Sequence, residues 1–329
     1  MTDLRSAMPA ATPAASADDG GASWTGAPPR TGEPATVTVD VGGRDHPVRV
    51  WRHAAPTTGS SDGSPARRLL LIHGFRGDHH GMALLADALA DHEVLVPDLP
   101  GFGETAPVPG REHDLETYAA VVEGLAAALG LGAEDVLAGH SFGSLVVAAH
   151  AARTRRSWAS LVLICPISDD IFTGSLLPGA LSVEAFYAAA RAVPEPAALR
   201  LLRCRPVIEL TNLTMLTSRD AQIAAYVRDQ HRRHFSGFSD RRTVDEAYRA
   251  SSRHTVGEFA AALDLPVLLI GAARDQLSTA EGRRRLREAL PQARLEVLRG
   301  VGHLVHYETP APAARAIGRF LADLDAGVF

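Results

Sequence analysis

Two short stretches near the start of the chain alternate apolar and polar residues, TVTVDV at 36–41 and PVRVWR at 47–52. Alternation with a period of two predicts half-buried antiparallel strands. Further along, five runs are almost continuously apolar, which is typical of strands covered on both faces of a parallel sheet. These runs are LLLIHG (69–74), EVLVPD (93–98), DVLAG (135–139), SLVLIC (160–165) and PVLLIG (266–271).

Segments with helical periodicity lie between most of these runs and after the last one. They are GMALLADALADH, LETYAAVVEGLAAALG, SFGSLVVAAHAARTR, AEGRRRLREAL and APAARAIGRFLADL. Strand and helix in turn predict a doubly wound α/β domain. Residues 167–262 instead have the pattern of successive helices without a strand. Because this insertion follows the C-terminal end of a strand, where α/β sheets bind ligands, we expect a helical cap over the site. The core then comprises residues 35–166 and 263–329.

Composition narrows the picture further. Residues 1–34 are rich in Ala, Pro, Thr, Ser and Gly, which predicts a disordered tail without a signal peptide, and residues 57–65 form a similar loop. A net charge of −5 argues against a nucleic-acid partner, and no apolar run is long enough to span a bilayer. The two cysteines, Cys165 and Cys204, lack metal-type spacing and favour a reducing, cytoplasmic location. The oligomeric state is not indicated.

The stretch GHSFG joins a predicted buried strand to a predicted amphipathic helix. A turn this tight needs glycine at positions 139 and 143, and it exposes Ser141 at its apex. The serine hydroxyl then stands at a helix N-terminus, where the N–H of Phe142 can stabilise negative charge on a substrate oxygen. Ser141 is therefore the candidate nucleophile.

A serine nucleophile needs a histidine base and a carboxylate that orients it. The loop VGHLVHYETP offers His303, with His306 as the rival, and a glycine before His303 favours the former. The loop after PVLLIG offers Asp275 as the acid. Asp169 and Asp170 are alternatives, better explained as the polar start of the cap. The order Ser, Asp, His is the one associated with the nucleophile elbow.

The loop in LLLIHGFRGDHHG is expected to supply the second oxyanion donor, the N–H of Phe75, because Gly74 lets the backbone pass close to the serine. Gly74, Arg76 and His140 are the candidate substrate-binding residues. Arg76 is expected either to pair locally with Asp78 or to bind a substrate carboxylate. His79 and His80 have no carboxylate or cysteine partner at metal-ligand spacing, so no metal and no cofactor are expected.

Five motifs in this order resemble those of the α/β-hydrolase fold superfamily. They are IHGFRG, PDLPGFGET, GHSFG, GAARD and GHLVHYETP, and the likeness covers residues 66–166 and 263–325. The resemblance implies an eight-stranded, mostly parallel sheet flanked by helices, a Ser141, Asp275 and His303 triad, and an oxyanion hole formed by Phe75 and Phe142. Thr105 or Glu104 stands where the second motif usually continues to serine, and the cap matches no identified subfamily.

A serine at the elbow argues against dehalogenases and epoxide hydrolases of this superfamily, which use aspartate there. The resemblance implies hydrolysis of a carboxylic ester or thioester, with a small-molecule acyl substrate. One alternative is a C–C bond hydrolase or lyase-type relative that acts on a carboxylate-bearing substrate. In such a relative, Arg76 and arginines of the cap would bind the substrate carboxylate. The other alternative is a binding protein that has the hydrolase fold but no longer catalyses a reaction. The cap arginines that could bind the substrate carboxylate include Arg191, Arg200, Arg203, Arg205, Arg232 and Arg233.

Overall fold

The computed structural model describes residues 28–55 and 66–328. Most of the predicted tail and the predicted loop at 57–65 lie outside these residues. Eight strands are present where the apolar patterns and the resemblance place them, and the first begins at Glu33, two residues inside the predicted tail. The strands are β1 (Glu33–Asp40), β2 (Asp45–His53), β3 (Arg68–Ile72), β4 (Glu93–Pro97), β5 (Val136–His140), β6 (Ser160–Ile164), β7 (Val267–Ala272) and β8 (Ala293–Leu298).

All eight strands form one sheet in the order β1-β2-β4-β3-β5-β6-β7-β8. β1 pairs antiparallel with β2, and β2 pairs antiparallel with β4. The remaining strands are parallel, from β4 through β3 to β8. The prediction of a mostly parallel eight-stranded sheet is therefore confirmed. From β3 the sheet continues to β4 on one side and to β5 on the other, so the order of the parallel strands changes direction there. The C-terminal ends of β3, β5, β6 and β7 lie at one edge, where α/β sheets bind ligands.

Helices cover both faces of this sheet because the parallel strands are apolar on both sides. In β3, Leu70 and Ile72 belong to one core cluster, and Leu69 and Leu71 to the other. The first cluster packs under α2, α3 and α9, and the second under α1 and α11. The core helices are α1 (His79–Ala88), α2 (Leu115–Ala128), α3 (Phe142–Arg153), α9 (Ala280–Ala289), α10 (Val305–Glu308) and α11 (Pro310–Asp325).

The segment between β6 and β7 is helical. It contains two helices of the 3-10 type, Gly174–Leu176 and Val256–Ala262, and five α-helices. The periodicity did not reveal α6, and it did not separate the end of α8 from the second 3-10 helix. The α-helices are α4 (Leu177–Ala192), α5 (Glu195–Leu202), α6 (Arg205–Met215), α7 (Ala221–His234) and α8 (Arg241–Ser252).

Arg76 ties this helical segment to the core. Its guanidinium donates hydrogen bonds to the carbonyl oxygens of Leu202 (2.6 Å) and Phe235 (3.3 Å), and it lies over the rings of Phe235 and Phe238. The expected local ion pair with Asp78 is not among the ion pairs of the described residues. The difference arises because Arg76 adopts a left-handed backbone conformation, with φ of 58°, and its side chain is buried beneath the insertion.

Replacing Arg76 with methionine is expected to lower the free energy of unfolding by about 2 kcal/mol or more. The substitution leaves two backbone carbonyls without a charged donor, and such hydrogen bonds contribute about 1.5–3 kcal/mol each. Urea unfolding followed by circular dichroism measures this loss. The exposed Arg200 of α5 provides the control, and Arg200→Met should keep the wild-type stability to within about 0.5 kcal/mol. Equal stabilities of the two variants would show that the hydrogen bonds from Arg76 to the insertion do not stabilise the fold.

Candidate active site

Ser141 occupies the sharp turn between β5 and α3. Its φ of 53° is in the left-handed region, and its N–H donates to the carbonyl of Ile164 (2.9 Å). A Cβ atom at position 143 would lie 2.7 Å from the carbonyl oxygen of His73 and closer still to that of Ile72. The backbone of α3 therefore crosses β3 at van der Waals contact, and only glycine fits there.

Ser141, His303 and Asp275 meet at the C-terminal edge of the sheet. The Oγ atom of Ser141 lies 2.7 Å from Nε2 of His303, and Nδ1 of His303 lies 2.9 Å from Oδ1 of Asp275. The three residues come from the loops after β5, β8 and β7. This chain of two hydrogen bonds holds an imidazole between a hydroxyl and a carboxylate, the arrangement that activates a serine as a nucleophile.

The carboxylate of Asp275 is fully buried and ionised. Burial alone would raise its pKa, but the adjacent His303 and the N–H of Leu277, which donates to Oδ1 (2.9 Å), outweigh burial and hold the pKa below its usual value. The thiol of Cys165, directly after β6, lies beside this carboxylate, and burial raises the pKa of the thiol well above its usual value. Cys165 is thus a neutral, buried thiol, as its place at the end of an apolar run predicts.

Two polar side chains that the sequence analysis did not single out fix the histidine loop. The N–H of His303 donates to Oε1 of Gln276 (3.0 Å), and the N–H of Gly302 donates to Oγ1 of Thr217 (2.8 Å). Thr217 also donates its hydroxyl proton to the carboxylate of Glu308 (2.8 Å). Gln276 could have been found, because it directly follows Asp275 in sequence. Thr217 comes from the helical insertion, far along the chain from Gly302, so no local pattern indicates their contact.

The backbone at Gly74 runs directly beside the serine. A Cβ atom at position 74 would lie 3.3 Å from Cβ of Ser141. The neighbouring His73 fixes this loop, since its Nδ1–H donates to the carbonyl of Gly74 (2.8 Å) and its Nε2 accepts from the N–H of Leu99 (2.9 Å). The N–H groups of Phe75 and Phe142 thus belong to two backbone segments that flank the Ser141 hydroxyl.

His140 lies behind the serine. Its Nε2–H donates to the carbonyl oxygen of His303 (3.0 Å), and its ring packs on that of His306, with 4.1 Å between centroids. Burial, reinforced by the neighbouring His303, lowers the pKa of His140 to about 3, so its imidazole is neutral. The hydrogen bond from His140 holds the histidine loop, and a substrate-binding role for His140 stays a prediction. His306 is buried in α10, and no hydrogen bond of the described residues joins it to Ser141 or Asp275.

The alternative acids serve other parts of the fold. Asp169 accepts hydrogen bonds from the N–H (2.8 Å) and hydroxyl (2.9 Å) of Thr279, the N-cap of α9. Asp170 accepts from the N–H of Phe172 (2.9 Å) at the start of the helical insertion. Asp169 therefore contacts the start of α9 in the core, Asp170 contacts the start of the helical insertion, and His303 takes its carboxylate partner from Asp275.

The serine and histidine are nearly shielded from solvent. Ser141 is 8% exposed and His303 is 5% exposed. Above the Gly74 loop, the ring of Phe75 lies 6.2 Å from each of Tyr187 and Tyr248, which stack on each other with centroids 4.0 Å apart. Tyr187 and Tyr248 belong to α4 and α8, so aromatic residues of the insertion meet the candidate oxyanion loop.

Several buried histidines make the stability of the fold depend on pH. Burial lowers the pKa of His150 and of His231 to about 4, below the value of 6.5 for a free imidazole. Between pH 6.5 and about 4 the unfolded chain binds protons at these rings that the folded chain does not. The free energy of unfolding should therefore fall as the pH decreases through this window.

The variant His150→Gln is expected to reduce the steepness of that fall. It removes one such imidazole but keeps an acceptor for the indole N–H of Trp158, which donates to Nε2 of His150 (3.2 Å). Urea unfolding at several pH values between about 7 and about 5 gives the slope, and one proton accounts for at most about 1.4 kcal/mol per pH unit. His254→Gln, at a partly exposed position, serves as the control. An unchanged slope in His150→Gln would contradict the assignment.

None of the helices in the described part of the chain has both the length and the apolar character needed to cross a lipid bilayer.

Comparison with known proteins identifies the family. The model of the α/β hydrolase fold family matches residues 67–310. Lipase 3 of Moraxella sp. (strain TA144) is 31% identical over 104 residues, which are 32% of this chain and 33% of the lipase. The chain thus matches only about a third of that relative's length. The other curated relative, lipase 1 of Psychrobacter immobilis, is matched over 30% of its length.

Solved structures share the fold at low sequence identity. A thermophilic esterase from Thermogutta terrifontis, solved with bound malate, is 24% identical with a TM-score of 0.67, over 89% of this chain and 99% of that chain. A bromoperoxidase from Bacillus anthracis is 18% identical with a TM-score of 0.70, over 88% and 100%. These likenesses show the fold alone. With the family match spanning well over half of the chain, and with the sheet order described above, the protein belongs to the α/β hydrolase fold family.

Proposed function

We propose that the protein is a serine hydrolase that cleaves a carboxylic ester or thioester through an acyl-enzyme formed on Ser141. The observation that carries the proposal is the pair of hydrogen bonds that link Ser141 to His303 (2.7 Å) and His303 to Asp275 (2.9 Å). The names of the curated relatives, both lipases, support an ester as substrate.

In this mechanism Ser141 Oγ attacks the carbonyl carbon of the ester, and His303 Nε2 accepts the hydroxyl proton. Asp275 holds the imidazole in the tautomer that bears a proton on Nδ1 and stabilises the imidazolium. The N–H groups of Phe75 and Phe142 stabilise the oxyanion. His303 then gives the proton to the departing alcohol or thiol. A water molecule, deprotonated by His303, attacks the acyl-enzyme and releases the acid.

Residues 167–262 serve as the cap in this proposal. This role is supported by the burial of Ser141 and His303. It is also supported by the contacts that Arg76, Thr217 and Tyr187 make between the insertion and the core. The cap would shape the acyl site. The cytoplasmic location remains part of the proposal and is supported by the two free cysteines, Cys165 and Cys204.

The C–C hydrolase or lyase-type alternative has less support. It requires a cation for the substrate carboxylate, yet the Arg76 guanidinium is engaged by the carbonyls of Leu202 and Phe235. Several cap arginines are also engaged within the insertion. Arg191 pairs with Glu184 and Asp245, Arg203 donates to the carbonyl of Ser239, Arg232 pairs with Glu209, and Arg233 pairs with Asp229.

A fluorophosphonate probe and a panel of p-nitrophenyl esters of increasing acyl length test the proposal. We expect one probe molecule bound covalently per chain, on the peptide that contains Ser141, and turnover of at least one ester. A chain that is labelled but cleaves only C–C bonds of keto-acids would support the alternative reaction. A chain that binds acyl compounds reversibly and takes no label would support the binding-protein interpretation.

A further inference from the structure

A carboxylate and two imidazoles meet where the core contacts the helical insertion. Asp78 is the N-cap of α1, His80 lies in the first turn of that helix, and His234 is the last residue of α7. Each residue offers one ligand atom, and these atoms all lie within 4.8 Å of one another. Nδ1 of His80 is 3.3 Å from Oδ1 of Asp78, and Nδ1 of His234 is 3.7 Å from Oδ2. The cluster thus joins two segments that are 154 positions apart (234 − 80).

The donor set and its spacing suit a zinc ion. Two nitrogens and one carboxylate oxygen are frequent zinc ligands, and bonds of about 2.0–2.1 Å in a tetrahedron separate ligand atoms by about 3.4 Å. The Nδ1 atoms of His80 and His234 lie 3.3 Å and 3.7 Å from different oxygens of the Asp78 carboxylate, which is close to this separation.

The cluster contains a polar atom that the fold does not satisfy. Nδ1 of His80 is buried and, although it lies 3.3 Å from Oδ1 of Asp78, makes no hydrogen bond of good geometry, whereas buried polar atoms are nearly always paired. The Asp78 side chain is itself 5% exposed, so its charge is largely removed from water. A cation between Asp78 and the two imidazoles would satisfy both groups.

The remaining coordination position would belong to water. The adjacent His79 is not available as a ligand through Nδ1, because that nitrogen is 3.0 Å from Oδ1 of Asp98. The rings of His80 and His234 stack with centroids 3.6 Å apart, so the nitrogen lone pairs lie in two nearly parallel planes. Both side chains would have to rotate before the two nitrogens could bind one ion. Both side chains reach solvent, at 40% and 25% exposure, which gives them the freedom to turn.

We propose that Asp78, His80 and His234 form a zinc site that joins the core to the helical insertion. The proposal does not depend on the hydrolase activity, and its test needs no substrate. The site leaves no local signal in the sequence, because His234 becomes a neighbour of His80 only through the tertiary fold.

The full chain, freed of metal with a chelator, is titrated with zinc chloride by calorimetry and with cobalt(II) by visible absorption. We expect one ion per chain, the absorption bands of a tetrahedral cobalt complex, and a higher melting temperature with zinc. His234→Gln and His80→Gln should each weaken zinc binding at least about tenfold and abolish the shift in melting temperature. His254→Gln, which changes a partly exposed histidine outside the cluster, should bind like the wild type.

Absence of a stoichiometric zinc ion in the wild type would overturn the proposal. Retention of the wild-type affinity by either His80→Gln or His234→Gln would overturn it as well, because the ion would then be held elsewhere. The two variants change partly exposed side chains, and their unchanged melting temperatures without zinc would confirm that the loss of binding is not a loss of folding.

Discussion

Replacing Ser141 with alanine is expected to lower kcat for a p-nitrophenyl ester by about 10⁴- to 10⁶-fold, the range seen when a triad nucleophile is removed. The reason is that His303 Nε2, 2.7 Å from the hydroxyl, then has no proton to accept and no oxygen is available for attack. Steady-state kinetics on the ester that the wild type cleaves best give the change. The fluorophosphonate adduct should disappear in the same variant.

Ser182→Ala provides the control for this experiment, since Ser182 is an exposed serine of α4 whose hydroxyl donates only to the carbonyl of Gly179 (2.7 Å). It should retain the wild-type kcat and the adduct. Circular dichroism would verify that both variants are folded. If Ser141→Ala kept more than about one hundredth of the wild-type turnover, the acyl-enzyme mechanism would have to be abandoned.

The second large effect concerns stability. Gly143→Ala is expected to lower the free energy of unfolding by about 3 kcal/mol or more, because the added methyl group overlaps backbone carbonyls rather than movable side chains. Those carbonyls belong to Ile72 and His73, at the end of β3. Urea unfolding measures the loss, and any residual activity should fall with it, since displacing α3 moves Ser141 away from His303.

Gly318→Ala is the matched control. Gly318 lies within α11, and a Cβ atom there meets nothing within 4 Å. Alanine is a better helix former than glycine, so this variant should be more stable than the wild type by roughly 0.5–1 kcal/mol. Opposite signs for the same chemical change would attribute the effect at position 143 to crowding. Similar small effects at both positions would show that α3 can shift away from β3 at little cost.

Local patterns in the sequence predicted most of the sheet because the parallel strands are buried on both faces. Leu69, Leu70, Leu71 and Ile72, for example, are all apolar, and each belongs to a core cluster. The spacing of GHSFG predicted the turn because the crowding at Gly139 and Gly143 is a property of that short segment. The three triad candidates were predictable because each lies in the turn or loop that follows a strand, at the same edge of the sheet.

Features that depend on packing between distant segments were not predictable. The pattern of α6 is weak because Leu210 and Leu213 are exposed, so its apolar residues do not mark a buried face. Nothing near Arg76 in sequence indicates that it contacts Leu202 and Phe235, and nothing near His80 indicates His234. The side of the turn toward which His140 points is likewise fixed by His303, far along the chain.

The shielding of Ser141 and His303 has a kinetic consequence. If residues 167–262 act as the proposed cap, an ester reaches Ser141, a residue that is 8% exposed, only when part of that insertion moves away. The fraction of time that the molecule spends open then multiplies the rate of productive encounter, since only that fraction can bind. Bulky acyl chains would require wider and rarer openings than short ones. Selectivity would therefore reflect how often the insertion opens as well as the shape of the space beneath it.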